Sequence, residues 1–93
     1  MILEEADKHL TPEHWTLINP VGENEIVVKK RPLNTEEKLY ACYYAIEPKK
    51  PSGFNGGLLG EYSSLEEVKN HLIGLSFASD IDLNGWAVSP EKG

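Results

Sequence analysis

The chain has 93 residues, of which 40% are hydrophobic and 26% charged, and its formal net charge is −6. This length predicts a single small domain, residues 1–93, and the composition is typical of a folded chain rather than a disordered one. The single cysteine, Cys42, excludes an intrachain disulfide, and no apolar run is long enough to span a membrane. Because the N-terminus also lacks a basic and apolar leader, we expect a cytoplasmic protein with no membrane contact.

The first third of the chain predicts a short helix and two strands. Apolar residues at helical spacing indicate a helix over 2–10, and Thr11-Pro12-Glu13 starts a single turn that we expect to bring Trp15 into the core. Residues 15–18 and 25–30 have the composition of strands. The intervening residues 19–24 are rich in turn formers and predict the connection between them.

Residues 38–47 give the strongest strand prediction, with three tyrosines and neither Gly nor Pro. Neither face of this strand is polar, which indicates a central strand covered on both sides. We expect a helix on the face with the smaller side chains, and the second helix on part of the other face. The first face carries Leu39, Ala41, Tyr43 and Ala45, and the second carries Tyr40, Cys42, Tyr44 and Ile46.

The last third predicts a strand, a helix and a final short strand. Residues 48–57 form a loop rich in Pro and Gly, and residues 58–62 form a strand. Ser64 and Glu67 have the spacing of a capping box, which places a helix start at Leu65. The apolar stripe of this helix predicts that Val68, Leu72 and Ile73 are buried, and Gly74 is a natural stop. Residues 86–88 form the final strand.

The element order α-β-β-β-β-α-β predicts an α+β fold. We expect a mostly antiparallel sheet of four or five strands, with the C-terminal helix packed on one face and a short N-terminal helix. The helix between the last two strands could add one parallel pairing. No internal repeat divides the chain.

Residues 80–85 and Glu91 have the spacing of a calcium-binding loop. The run Asp80-Ile81-Asp82-Leu83-Asn84-Gly85 resembles the EF-hand family, in which acidic and amide oxygens converge around a glycine turn. This resemblance covers only 12 residues. Pro90 stands where the exiting helix would begin, and residues 86–88 predict a strand. We therefore expect an ordinary turn at Asn84-Gly85 and no bound metal or other cofactor.

Residues 58–67 suggest a second resemblance. This strand and helix start are similar to the corner of small three-stranded DNA-binding domains, those of plant ethylene-response factors and of some phage integrases. The resemblance implies that the sheet face would read the major groove. Residues 26–50 carry six Lys or Arg against three Glu, so a nucleic-acid-binding module that uses the basic segment 29–50 is the alternative function. The acidic chain as a whole argues against it.

The pattern of nucleophiles and histidines does not predict an enzyme. Cys42 lies within the strongest strand, where a thiol is usually buried and inert, and no phosphate-binding glycine loop is present. The histidines His9, His14 and His71 lack metal-ligand spacing on one helix.

These exclusions leave a non-catalytic protein-interaction module, such as a small regulator, inhibitor or adaptor. Part of one face of strand 38–47 should remain open, because a two-turn helix is shorter than the strand that it would cover. Tyr40, Tyr43 and the loop residue Phe54 are the candidate partner-binding residues, since exposed aromatic side chains are enriched at interfaces. We expect the partner to be another protein or a second copy of the chain, rather than a nucleic acid.

Overall fold

The computed structural model describes residues 1–11, 13–30, 39–45, 57–75 and 78–89. Its elements are α1 (Leu3–Lys8), β1 (Thr16–Val21), β2 (Asn24–Lys30), β3 (Tyr40–Ala45), β4 (Gly57–Tyr62), α2 (Leu65–Ile73), a 3₁₀ turn (Ala78–Asp80) and β5 (Ala87–Val88). The strands form one sheet in the order β4-β3-β2-β1-β5, and all pairs are antiparallel. The predicted α+β fold is confirmed.

The predicted parallel pairing is wrong. β5 lies at the opposite edge of the sheet from β4. There Val88 pairs with Leu17 and Ala87 pairs with Ile18, both antiparallel. The two edge strands therefore run in the same direction without being neighbours.

The first hairpin is tighter than its turn-forming residues suggested. β1 continues through Asn19, Pro20 and Val21, and the turn is only Gly22-Glu23, with Gly22 at φ 64°. A positive φ at the first turn residue matches the twist of a two-residue hairpin and suits glycine. Pro20 is accommodated because β5 pairs only with Leu17 and Ile18, so the outer edge of β1 at Pro20 has no partner among the described strands.

Both helices pack on the same face of the sheet. The core lies between them and the strands, with Leu3 and Ala6 from α1, Val68 and Leu72 from α2, and inward side chains of every described strand, among them Leu17, Val28, Tyr40 and Cys42. The covered face of β3 is thus the face that carries Tyr40, Cys42 and Tyr44. The predictions that a helix covers the smaller side chains, and that the helices lie on different faces, are wrong. An all-apolar strand has no periodicity that could distinguish its two faces.

The N-terminal segment is shorter than its apolar spacing predicted, since α1 ends at Lys8. Thr11 forms the expected turn by accepting hydrogen bonds from the backbone N–H groups of Glu13 and His14. Trp15, however, is only partly buried, and the tryptophan of the core is Trp86, which is 3% exposed. The prediction that Trp15 enters the core is wrong.

Helix α2 begins where the capping box places it. The Ser64 Oγ accepts a hydrogen bond from the Glu67 N–H, whereas the Glu67 carboxylate accepts from the N–H and hydroxyl of Ser63 rather than from Ser64. Val68 and Leu72 are buried as predicted. Ile73 is 72% exposed, which contradicts the prediction, because it lies one residue beyond the narrow stripe that meets the sheet.

Candidate functional site

An apolar cleft opens between α1, α2 and the segment 78–86. Its volume is about 670 Å³. Buried side chains of Leu3, Leu72 and Trp86 contribute to its lining, with 4%, 7% and 3% of their surface exposed. This volume falls in the range of roughly 300–1,000 Å³ that is usual for ligand sites.

Three exposed aliphatic side chains also line the cleft. They are Ile2, which precedes α1, Ile73 at the end of α2, and Leu83 in the turn before β5, with exposures of 38%, 72% and 71%. Each belongs to a different segment, so their convergence is a property of the tertiary fold. Single exposed aliphatic residues are common on soluble proteins, but a group that surrounds a concave apolar surface is typical of an interaction site.

A buried asparagine holds the Leu83 side of the cleft in place. Asn19 is fully buried in β1, and its side-chain Nδ2 donates a 2.8 Å hydrogen bond to the backbone oxygen of Asp82. The same oxygen accepts from the N–H of Gly85, and the Asp82 carboxylate accepts from the N–H of Asn84. Gly85 packs so closely against Asn19 that a Cβ there would lie 2.6 Å from the Asn19 Oδ1. The turn that presents Leu83 is thereby tied to the sheet.

Trp86 connects this turn to the N-terminal segment. Its backbone N–H donates a 3.0 Å hydrogen bond to the backbone oxygen of Met1, next to Ile2. The hydrogen bond from Asn19 to the Asp82 oxygen and the hydrogen bond from Trp86 to the Met1 oxygen therefore hold two sides of the cleft in position. Helix α2 supplies the third side.

The charges around the cleft are mainly acidic. Glu4 and Lys69 both line it, and their side chains form an ion pair between α1 and α2 at 2.5 Å. The hydrogen bond from Lys69 lowers the pKa of the Glu4 carboxyl below its ordinary value. Asp80 and Asp82 are exposed and alternate in sequence with the lining residues Ser79, Ile81 and Leu83. Glu4 and Lys69 compensate each other, and Asp80 and Asp82 add two carboxylates beside the apolar surface.

Neither of the two described partner-binding candidates, Tyr40 and Tyr43, lines this cleft. Tyr40 is only 5% exposed, and its hydroxyl donates a hydrogen bond to Asp7 of α1. Tyr43 is half-buried on the opposite face of the sheet, where the Lys29 ammonium lies 5.8 Å from its ring centre. Phe54 lies outside the described residues. Tyr40 and Tyr43 therefore lie on opposite faces of the sheet, and their role in binding stays a prediction.

The structure describes Cys42 and residues 80–89 of the calcium-like loop. Cys42 is fully buried, and burial raises the pKa of its thiol to about 12, so almost no thiolate exists at neutral pH. In the calcium-like run, the Asp82 carboxylate accepts the Asn84 N–H, while Glu91 lies outside the described residues. Among the described residues, no three His, Cys, Asp or Glu side chains are grouped to hold a metal ion.

The basic segment is described only in part. Lys29 and Lys30 project from opposite faces of β2, since Lys29 lies over Tyr43 while Lys30 forms an ion pair with Asp7 of α1 at 3.6 Å. Arg31, Lys38, Lys49 and Lys50 lie outside the described residues. The two described lysines therefore do not form a common basic surface.

Comparison with known proteins adds no assignment, because no protein-family model, curated protein or solved structure matches the chain. Among the helices of the described residues, none has the length and apolar character needed to cross a membrane. The assignment of the candidate site therefore depends on the geometry of the described residues alone. The sequence did not reveal this cleft, because Ile73 was assigned to the core and Leu83 was considered only as a member of the calcium-like run.

Proposed function

We propose that this protein is a non-catalytic protein-interaction module that binds a partner segment in the cleft between α1, α2 and residues 78–86. The observation that carries the proposal is the convergence of Ile2, Ile73 and Leu83, all exposed, around the buried surface of Leu3, Leu72 and Trp86. Burying these side chains against a partner would remove apolar surface from water, which is the main favourable term in protein association.

The charge of the cleft border suggests what kind of segment fits. Asp80 and Asp82, beside the cleft, would attract Lys or Arg side chains, whereas the cleft itself requires aliphatic or aromatic groups. An amphipathic segment with both features, such as a basic helix with one apolar face, satisfies both requirements. The net charge of −6 supports the same preference at longer range.

Calorimetric titration with two designed helical peptides tests this function. The peptides share one leucine face and differ only in having Lys or Glu on the other face. We expect saturable binding of the Lys peptide and at least tenfold weaker binding of the Glu peptide. Equal binding of both peptides would contradict the proposed preference for basic segments. If neither peptide bound, the proposed function itself would be contradicted.

Two variants connect this binding to the cleft. The double substitution Ile73→Gln and Leu83→Gln should weaken the Lys peptide at least tenfold, because it removes the two most exposed aliphatic side chains of the cleft. Leu58→Gln is the matched control, since Leu58 is 55% exposed but belongs to β4 and does not line the cleft. Both proteins should unfold at nearly the same temperature as the parent, because they change exposed residues. If Leu58→Gln weakened peptide binding as much as the double substitution, the assignment of the binding site to the cleft would be contradicted.

A further inference from the structure

An ion pair connects the two helices that border the cleft. Glu4 lies in the first turn of α1 and Lys69 lies within α2, and the Lys69 Nζ is 2.5 Å from the Glu4 Oε2. Both side chains line the cleft. The main contacts of α1 are with β5, whereas those of α2 are with β3 and β4. The sheet therefore sets the position of each helix, and the ion pair adds a side-chain connection between them.

The ion pair lies next to the apolar floor of the cleft. Leu3 directly precedes Glu4, and only 4% of its surface is exposed. Leu72 follows Lys69 by one helical turn and is 7% exposed. Residues three apart are neighbours on one side of a helix, so Lys69 and Leu72 face the cleft together. The Glu4 and Lys69 side chains are each 45% exposed, so more than half of each is covered by protein while the charged ends meet at the surface.

We propose that the Lys69 side chain, held by Glu4, is a lid on the cleft that moves aside when the partner segment binds. A lysine stem is a chain of methylene groups that covers apolar surface while its ammonium group stays in water. With the ammonium group bound to Glu4, this stem shields the floor at Leu3 and Leu72 when no partner is present. The inference rests on the proposed function, since that function supplies the segment that the lid admits.

The ion pair is weak enough to open when a partner arrives. Exposed ion pairs contribute little to stability, because both charges remain in contact with water and two long side chains must be held in one geometry. The other described connections around the cleft are firmer. Buried Asn19 binds the turn before β5, and the Trp86 N–H binds the backbone oxygen of Met1. Of these three connections, the ion pair is therefore the one that opens most easily.

Exchanging the two charges tests the lid, with calorimetric titration of an uncharged helical peptide that has the same leucine face and Gln on its other face. Glu4→Lys alone and Lys69→Glu alone replace the attraction by a repulsion. Each should bind this peptide about two- to fivefold more tightly than the parent, which matches the small free energy of an exposed ion pair. The combined variant Glu4→Lys with Lys69→Glu restores an ion pair and should bind like the parent. Glu5→Lys is the matched control and should also bind like the parent, because Glu5 is exposed on α1 and does not line the cleft.

A second measurement detects the lid without any partner. Trp86 lines the cleft, so quenching of its fluorescence by acrylamide, measured in a Trp15→Phe background, reports how readily a small uncharged molecule enters. Each single reversal should raise the quenching constant, and the combined variant should return it to the parent value. If quenching followed this pattern but no peptide bound, the lid would be supported and the proposed function contradicted. Equal quenching in the parent and the single reversals, or a combined variant that behaves like the single ones, would overturn the lid.

Discussion

At the scale of single residues, Gly85 shows how closely the cleft is connected to the sheet. A side chain at this position would meet the buried Asn19 Oδ1 at 2.6 Å and the Asp82 Cβ at 3.2 Å. Asn19 has little freedom to move, because it is fully buried and its Nδ2 bonds the Asp82 oxygen. The turn before Trp86 therefore depends on the absence of a Cβ.

We predict that Gly85→Ala destabilises the protein by about 1–3 kcal/mol, the usual cost of overpacking a rigid site. Gly74→Ala is the matched control. Gly74 ends α2 at φ −82°, and a Cβ there would approach no described atom closer than 3.5 Å. The substitution Gly74→Ala should therefore leave the stability unchanged or raise it slightly. Chemical denaturation of both variants checks the difference, and equal stability of the two would contradict the close contact.

Individual residues also show where sequence reasoning reached its limit. The burial of Val68 and Leu72 followed from helical spacing, but the same spacing wrongly included Ile73. Whether a residue at the border of an apolar stripe is buried depends on how closely the next element approaches, and no local pattern contains that information. The misassigned residue, Ile73, is one of the three exposed aliphatic side chains of the cleft.

At the scale of elements, the start of α2 is the clearest case in which local sequence determined local structure. The Ser64 Oγ accepts the Glu67 N–H, which satisfies one of the N–H groups that an isolated helix start leaves unpaired. We predict that Ser64→Ala costs about 1 kcal/mol of stability. Ser64→Asp should retain most of the stability, because aspartate also caps. Thermal unfolding measures both, and an equal loss in the two variants would show that Ser64 does not act as a cap.

The contact between α1 and α2 should depend on pH. Lys69 lowers the pKa of Glu4 below 4.5, so ionised Glu4 favours the folded state. This contribution is present above the ordinary pKa and is lost as pH falls through the lowered value. Glu4→Gln should therefore be less stable than the parent at neutral pH, and the difference should disappear in strong acid. The pair is exposed, so the effect should be small and should weaken with added salt. A difference that persists in strong acid would contradict this origin.

The order of elements was predictable, whereas their positions in the sheet were not. Strand and helix types followed from composition and capping, but the hairpin was placed too early because Asn19 and Pro20 are frequent turn formers. In the structure Leu17, Asn19 and Val21 point inward, and β1 extends to Val21. Likewise, an apolar strand such as β3 does not reveal which face a helix will cover. These choices depend on tertiary packing.

At the scale of the whole molecule, the placement of both helices on one face has two consequences. The space between them, bordered by the turn 78–86, forms the cleft. The opposite face carries the neighbouring side chains of Ile18, Val27 and Tyr43, with no described helix above them. An interaction surface was expected on the sheet, whereas the cleft is formed by three segments that are distant in the chain. We assign the partner segment to the cleft.

The central claim is that the cleft binds the partner segment, and residue-resolved amide chemical shifts measure this most directly. Isotope-labelled protein would be titrated with the helical Leu–Lys peptide. The account predicts saturable shift changes concentrated at residues 2–4, 69–73 and 79–86, and their loss in the variant with Ile73→Gln and Leu83→Gln. Shift changes concentrated instead around Ile18, Val27 and Tyr43, or no saturable change at any residue, would contradict it.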